Sequence, residues 1–341
     1  CRTQSTMVCC GNRTVCVSNE GDVYSFGLNS YGELGNNEYE KVHPVQRISS
    51  LRNIRSICCG RHHTICLDNE GNVFTFGRNN YGQLGVGANV ETANFTKKIF
   101  KFAKDSLVGR LCKSYKPLKV DLPPIKQISC GMDFTMCISE DGELYSFGIN
   151  YYGQLGNGDR SIQDYPKKIE SLKDIDFVEC GNNLTLCKTK DGDIYGWGKN
   201  DFQQLGIEND AIFREPMKLE NCPENIVDIK CGIFFTLALT ASNEVYFSGF
   251  WLEQIEPLRW VKIVDLSEII RIECASHHLV CIDINNNLFF MGKYSYTQEE
   301  EPNNLISTPI MHPSLSNIID ISSLRGSHTI VKTSNNEIYA F

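Results

Sequence analysis

Short apolar runs, four to six residues long and separated by turn-forming residues, recur along the chain. Ile54–Cys58, Thr64–Leu67 and Val73–Phe76 are one set, rich in β-branched and aromatic residues. Runs of that length and composition predict strands. Between the second and third lies Asp68-Asn69-Glu70-Gly71, and other copies carry Glu-Gly or Asp-Gly there. Glycine supplies the positive φ of a tight turn, so the flanking strands form an antiparallel hairpin. A weaker fourth run is expected around Val120, beyond an insertion. Sustained helical spacing is found only inside that insertion, at Phe95, Ile99, Phe102, Ala103, Leu107 and Leu111.

The set repeats. CGRHHTICLDNEGNVFTFGRNNYGQLG, from Cys59 to Gly85, is written again from Cys10, Cys130 and Cys180, in worn form from Cys231 and Cys274, and truncated from Leu324. Its threonine falls at Thr14, Thr64, Thr135, Thr185, Thr236 and Thr329, with Leu279 in the sixth copy, giving steps of 50, 71, 50, 51, 43 and 50 residues. A fixed period of this size marks one supersecondary unit stacked on copies of itself. Four antiparallel strands per unit is the pattern of a propeller blade, and a ring, unlike a solenoid, needs no capping segments. The expectation is an all-β fold, a seven-bladed β-propeller of four-stranded antiparallel blades. It forms a single domain over residues 1–341, with an insertion at about 86–116 in the second blade. The seventh copy reaches Phe341 after three strands, so either Cys1–Thr6 supplies its outer strand or the blade has three.

The C-G-x-x-H-T signature followed by F-G-x-N-x-x-G-Q-L-G resembles the regulator of chromosome condensation (RCC1) family of propellers, over essentially the whole chain. That resemblance implies the propeller fold and a choice of functions: guanine-nucleotide exchange, substrate binding for ubiquitin ligases, light sensing or scaffolding. In the family's archetype a wedge also leaves the second repeat and reaches toward the nucleotide site of the GTPase Ran. The archetype's acidic exchange-loop positions are held here by Ser30, Asn80 and Tyr151, with Asp201 alone acidic, which argues against Ran itself.

Chain direction places the candidate site. With the strands of a blade named A to D from the axis outward, A–B turns and C–D connections share one face, here called upper. Loops on a rigid scaffold are where recognition concentrates. The A–B candidates are Asn12, Arg13, His62, His63, Asp133, Phe134, Asn182, Asn183, Phe234, His277, His278 and His328, joined by Asp201 on a C–D loop. Two readings stand: a ring of partner contacts, or side chains that bond the neighbouring blade and set the turn. The histidines belong to three different copies with no carboxylate placed beside them, so no metal or cofactor site is expected.

The insertion alters the charge picture. Lys97 to Lys126 carries eight lysines and Arg110 against Asp105 and Asp121, a net +7 in a chain of −8. Lys97, Lys98, Lys101, Lys104, Arg110 and Lys113 define a basic arm, read either as a solvated loop or as a docking element for an acidic protein or an anionic membrane. The acidic remainder disfavours nucleic acid. No nucleophile elbow, phosphate-binding glycine loop or H-E-x-x-H motif occurs, so no enzymatic bond chemistry and no small-molecule substrate are expected. Eleven of the sixteen cysteines are locked to two strand positions, without C-x-x-C, and read as small buried hydrophobes in a reducing compartment. Three sequons, at Asn12, Asn94 and Asn183, follow largely from the repeated threonine. No run of 18 apolar residues is present. The sequence thus predicts a monomeric, cytoplasmic or nuclear protein-binding ring: an exchange factor for a small GTPase, or an adaptor without exchange activity.

Overall fold

The computed structural model describes residues 7–10, 13–87, 112–209, 211–250, 257–275, 277–293, 305–323, 329–335 and 337–340. Blade 1 is β1 (Met7–Cys10), β2 (Arg13–Val17), β3 (Val23–Leu28) and β4 (Val42–Arg47); blade 2 is β5 (Ile54–Cys59), β6 (His63–Asp68), β7 (Val73–Arg78) and β8 (Lys113–Lys119). Blade 3 comprises β9 (Ile125–Cys130), β10 (Phe134–Ser139), β11 (Leu144–Gly148) and β12 (Gln163–Lys168). Blade 4 comprises β13 (Ile175–Cys180), β14 (Leu184–Thr189), β15 (Ile194–Lys199) and β16 (Ile212–Lys218). Blade 5 holds β17 (Ile226–Cys231), β18 (Phe235–Thr240), β19 (Val245–Gly249) and β20 (Leu258–Lys262). Blade 6 holds β21 (Ile269–Cys274), β22 (His278–Asp283), β23 (Leu288–Lys293) and β24 (Leu305–Met311). Blade 7 shows β25 (Ile318–Ser322), β26 (Ile330–Thr333) and β27 (Ile338–Ala340), three strands among the described residues. Every pairing is antiparallel, no described residue is helical, and β25 lies against β1 where the ring closes. The fold is the seven-bladed propeller the repeat predicts.

Two corrections concern the second blade. Its outer strand is Lys113–Lys119 and ends just before Val120, which is buried core. Lys113 therefore belongs to the strand and not to an arm. The predicted helical stretch and the other arm residues, Lys97, Lys98, Lys101, Lys104 and Arg110, lie outside the described residues. Outer strands evade a hydrophobicity scan because they are polar; they carry proline instead, at Pro44, Pro117, Pro166, Pro216 and Pro309. Proline lacks the N–H a further strand would need, which suits an exposed edge.

The core lies between blades. Val15 and Val23 of blade 1 pack with Ile54, Ile57 and Phe76 of blade 2, and Phe134 and Met136 of blade 3 pack with Ile175, Val178 and Trp197 of blade 4. Each such side chain, fully buried, contributes about 1.5–3 kcal/mol relative to exposure. The strand-C aromatics Phe76, Phe147, Trp197 and Phe290 are fully buried, while Phe26 is only half-buried. Cys59, Cys66, Cys130, Cys137, Cys180 and Cys187 are buried, and desolvation pushes Cys66, Cys137 and Cys187 above the ordinary thiol range. The A strands line a central channel of about 900 Å³. A bulge after the first residue of β5, β13, β17, β21 and β25 turns alternate residues into it. Among them, Lys230 pairs with Glu273 at 3.4 Å and Arg271 with Asp320. Burial pushes the Glu273 carboxyl up, against the pull of Lys230 and Arg271.

Candidate protein-docking face

The C–D loop is built by its own motif. Asn29, Asn79, Asn150 and Asn200 are buried, and each Oδ1 accepts from the backbone N–H of the motif leucine, at Leu34, Leu84, Leu155 and Leu205 (2.9–3.0 Å). The glutamine before that leucine works in two directions. Gln83 Oε1 accepts from Tyr81 N–H, while Gln83 Nε2 donates to Asp133 of the next blade, both at 2.9 Å. Gln154 repeats this with Tyr152 N–H (2.9 Å) and Asn183 (3.3 Å). In blade 1 the position is Glu33, a pure acceptor, and its neighbour is accordingly a donor: His62 Nδ1–H, 3.3 Å away. The motif threonine adds a second tie, Thr64, Thr135 and Thr185 donating to the carbonyls of Glu33, Gln83 and Gln154 at 2.9, 3.2 and 2.9 Å. A–B turns and C–D loops therefore share one face, as the chain direction requires, and the signature is a set of blade-to-blade latches.

Those latches change the role of several predicted contact residues. Strand B begins at the residue just before the threonine, so that residue already faces inward: His63 and Phe134 are 0% exposed and His278 is 2% exposed. His63 Nε2 meets Thr135 Oγ1 at 3.3 Å; since that hydroxyl proton is given to Gln83 O, the imidazole is the donor. His278 Nε2 and Thr329 Oγ1 are hydrogen-bonded at 2.7 Å across blades 6 and 7. Phe134 fills the blade 3–4 core, and a Cβ on Gly131 would lie 1.6 Å from its ring, which is why the turn keeps glycine. Arg13 is likewise buried and donates to the carbonyls of Gly60, Arg61 and His63 at 2.8–2.9 Å. The expectation that Arg13, His63, Phe134 and His278 line the surface does not hold. Asp133 is also buried against Gln83. His62, Asn182, Asn183, Phe234 and His277 are half-buried on the upper rim, Asp201 is exposed and paired with Lys199 at 2.8 Å, and Asn12 and His328 lie outside the described residues.

The rim's outward chemistry comes from positions the motif does not mark. The residue after the strand-C glycine is Leu28, Arg78, Ile149, Lys199 and Phe250 in blades 1 to 5, and the C–D loop aromatic is Tyr31, Tyr81, Tyr152 and Phe202. Arg78 lies over the rings of both Tyr31 and Tyr81, at 5.2 and 5.4 Å, and Lys199 lies over Tyr152 and Phe202, at 5.2 and 5.9 Å. Each cation thus sits between an aromatic of its own blade and one from the blade before. Beyond Lys199 the rim turns aromatic: Phe202 contacts Phe234 (4.6 Å) and Phe250 (5.9 Å), and Phe234 contacts His277 (5.9 Å). Between blades 1 and 3, Tyr31 packs at a tilt against His62, and Tyr81 meets Tyr151, which is 40% exposed, edge to face. Burial pushes the Asp133 carboxyl upward, while nearby Arg78, His62 and Arg61 pull it down. The residues flanking the insertion are held at this face by Asn79: Cys112 O accepts from Asn79 N–H (2.7 Å) and Gly87 O from Asn79 Nδ2 (2.9 Å). No group of three metal-ligating side chains is present among the described residues.

The sequence profile of the regulator of chromosome condensation (RCC1) repeat matches residues 20–67, 70–138, 141–187 and 191–239, more than half of the chain. The chain belongs to the RCC1-repeat family. It is 30% identical to the ultraviolet-B receptor UVR8 of Arabidopsis thaliana, over 85% of this chain and 65% of the receptor. It is 32% identical to the mouse secretion-regulating guanine nucleotide exchange factor, over 48% of this chain and 32% of that protein. The chain therefore spans less than two thirds of these RCC1-repeat relatives. In fold it resembles human WBSCR16 (TM-score 0.77, 22% identity, covering 94% of this chain and 84% of the other). Saccharomyces cerevisiae Prp20p, described with its binding to Gsp1p and histones, is similar too (TM-score 0.71, 20% identity, 94% and 80%).

Proposed function

We propose that the protein is a non-enzymatic docking ring whose upper face binds a partner protein, and that this partner is a small GTPase whose nucleotide it helps release. The observation that carries the reading is the convergence on one rim of loops from successive blades, held rigid by interblade latches and presenting half-buried aromatic and cationic side chains. Rigid aromatic and arginine anchors are what protein interfaces use most. The described residues that flank the insertion, Gly87 and Cys112, are held by Asn79 on the same face. Exchange needs no bond made or broken by the ring; tighter binding of the nucleotide-free GTPase shifts the equilibrium. Two RCC1-repeat relatives support this reading, one named as an exchange factor and one described with its binding to Gsp1p.

The test is release of a fluorescent guanine nucleotide from a panel of small GTPases at micromolar ring. Acceleration for one member, lost on deleting residues 89–110 while β8 is spared, is the expected result. No acceleration anywhere in the panel removes the exchange reading. The adaptor reading rests on Ser30, Asn80 and Tyr151, which put no acid at the C–D positions; it predicts a partner bound by the same face without nucleotide release.

A further inference from the structure

The two cations of the rim are differently committed. Lys199, between Tyr152 and Phe202, is neutralised by Asp201 at 2.8 Å. Arg78, between Tyr31 and Tyr81, has no such partner: no carboxylate of the described residues pairs with it, and its Nε is buried without a hydrogen-bond acceptor. Its backbone is fixed, N–H to His62 O at 2.7 Å, at the end of β7 beside Lys113. The nearest influential acid, Asp133, has its Oδ1 taken by Gln83 and is buried away from solvent. A guanidinium held rigidly between two rings, with donors left over, is a preformed receptor for a planar oxyanion.

We propose that the Tyr31–Arg78–Tyr81 clamp is an anchor site for the carboxylate of an aspartate or glutamate side chain on the partner protein. The two tyrosines hold the guanidinium at one angle and give the acid's methylene stem an apolar wall. Carboxylate is favoured over phosphoryl by the surrounding charge. Arg78, Arg61 and Lys113, the residue opposite Arg78 on β8, stand against Asp133 and Glu33, a net of one positive charge that matches a monoanion better than a dianion. The inference rests on the upper face being the docking surface but not on nucleotide exchange; a silent release assay leaves it standing, and its own failure leaves the exchange reading standing.

The test reads Arg78 directly. Its buried Nε–H gives an NMR resonance assigned by its loss in Arg78→Lys, and the full chain is titrated with N-acetyl-glutamate N-methylamide, its glutamine counterpart, and phenyl phosphate. The expected result is a saturable shift with the glutamate probe and none with the glutamine probe. Tyr81→Leu, which keeps the resonance, lowers the apparent affinity. Equal shifts with the glutamine probe, no shift with any probe, or saturation by phenyl phosphate at lower concentration than by the glutamate probe would overturn the assignment. Unchanged thermal unfolding of Tyr81→Leu shows that its loss is one of recognition.

Discussion

The upper face has two halves built from one repeat, and they have diverged in opposite directions. Across blades 1 to 4 the turn residues His62, Asp133 and Asn183 are consumed by latches to Glu33, Gln83 and Gln154 of the blade before. Across blades 4 to 6 the equivalent turn residues are Phe234, whose ring cannot hydrogen-bond a loop glutamine, and His277; they join Phe202 and Phe250 in an aromatic patch. Where the latch is kept, the loop is rigid and the free chemistry moves one residue outward, to Arg78 and the tyrosines. Where the latch is lost, the turn residue itself becomes surface. The same sequence position thus latches the neighbouring loop in one half and joins an aromatic patch in the other.

The sharpest way to separate the halves is to truncate two phenylalanines adjacent in the motif. Phe134→Ala empties a fully buried interblade site and is expected to lower stability by about 3–5 kcal/mol, read by chemical unfolding. Phe234→Ala should change stability little and weaken partner binding by about 2 kcal/mol, measured by calorimetry. A reversed outcome would erase the distinction. His63→Ala, which strips the donor from Thr135, should cost about 1–3 kcal/mol in stability without altering partner affinity beyond that loss. In a double-mutant cycle, Gln83→Ala and Asp133→Ala should couple by about 0.5–1.5 kcal/mol. Gln204→Ala and Phe234→Ala should couple by less, because no such bond joins them.

The smallest effect is on pH dependence. Burial raises the Asp133 carboxyl above its unfolded value, so the folded state holds that proton more tightly. Ionising it costs stability: the cost is absent below the ordinary carboxylate range and develops as pH rises through the raised value. Asp133→Asn removes the cost and keeps an oxygen for Gln83 Nε2. Relative to the native protein the variant should therefore gain stability from acid to neutral pH, and a flat difference would contradict the burial argument.

Much of this was legible in the chain. Period, hairpin glycines and apolar runs fixed strands A to C, the blade count and the shared face, because each depends only on local pattern and direction. The D strands were less legible, since β8 and β12 are polar and exposed; a proline inside the strand in blades 1 to 4 and 6 is the signal that marks them. The site was half legible. The motif pointed to the correct turns, but adjacent residues in C-G-x-x-H-T face opposite ways, and a repeat cannot say which. The apolar substitutes Phe134, Leu184 and Phe235 at the position of His63 do say so, since only a buried position exchanges histidine for leucine and phenylalanine. Arg78 and Lys199 stayed hidden because their meaning lies in rings donated by the preceding blade.

The account stands or falls on which face meets the partner, and site-specific photocrosslinking reads that directly. A benzoylphenylalanine at Tyr151, on the upper rim, is compared with one at Asp141, exposed on the opposite B–C hairpin, each in extract of the native source. The account predicts one discrete adduct from position 151, abolished by Phe234→Ala, and none from position 141. A discrete adduct from 141 with none from 151 would contradict it.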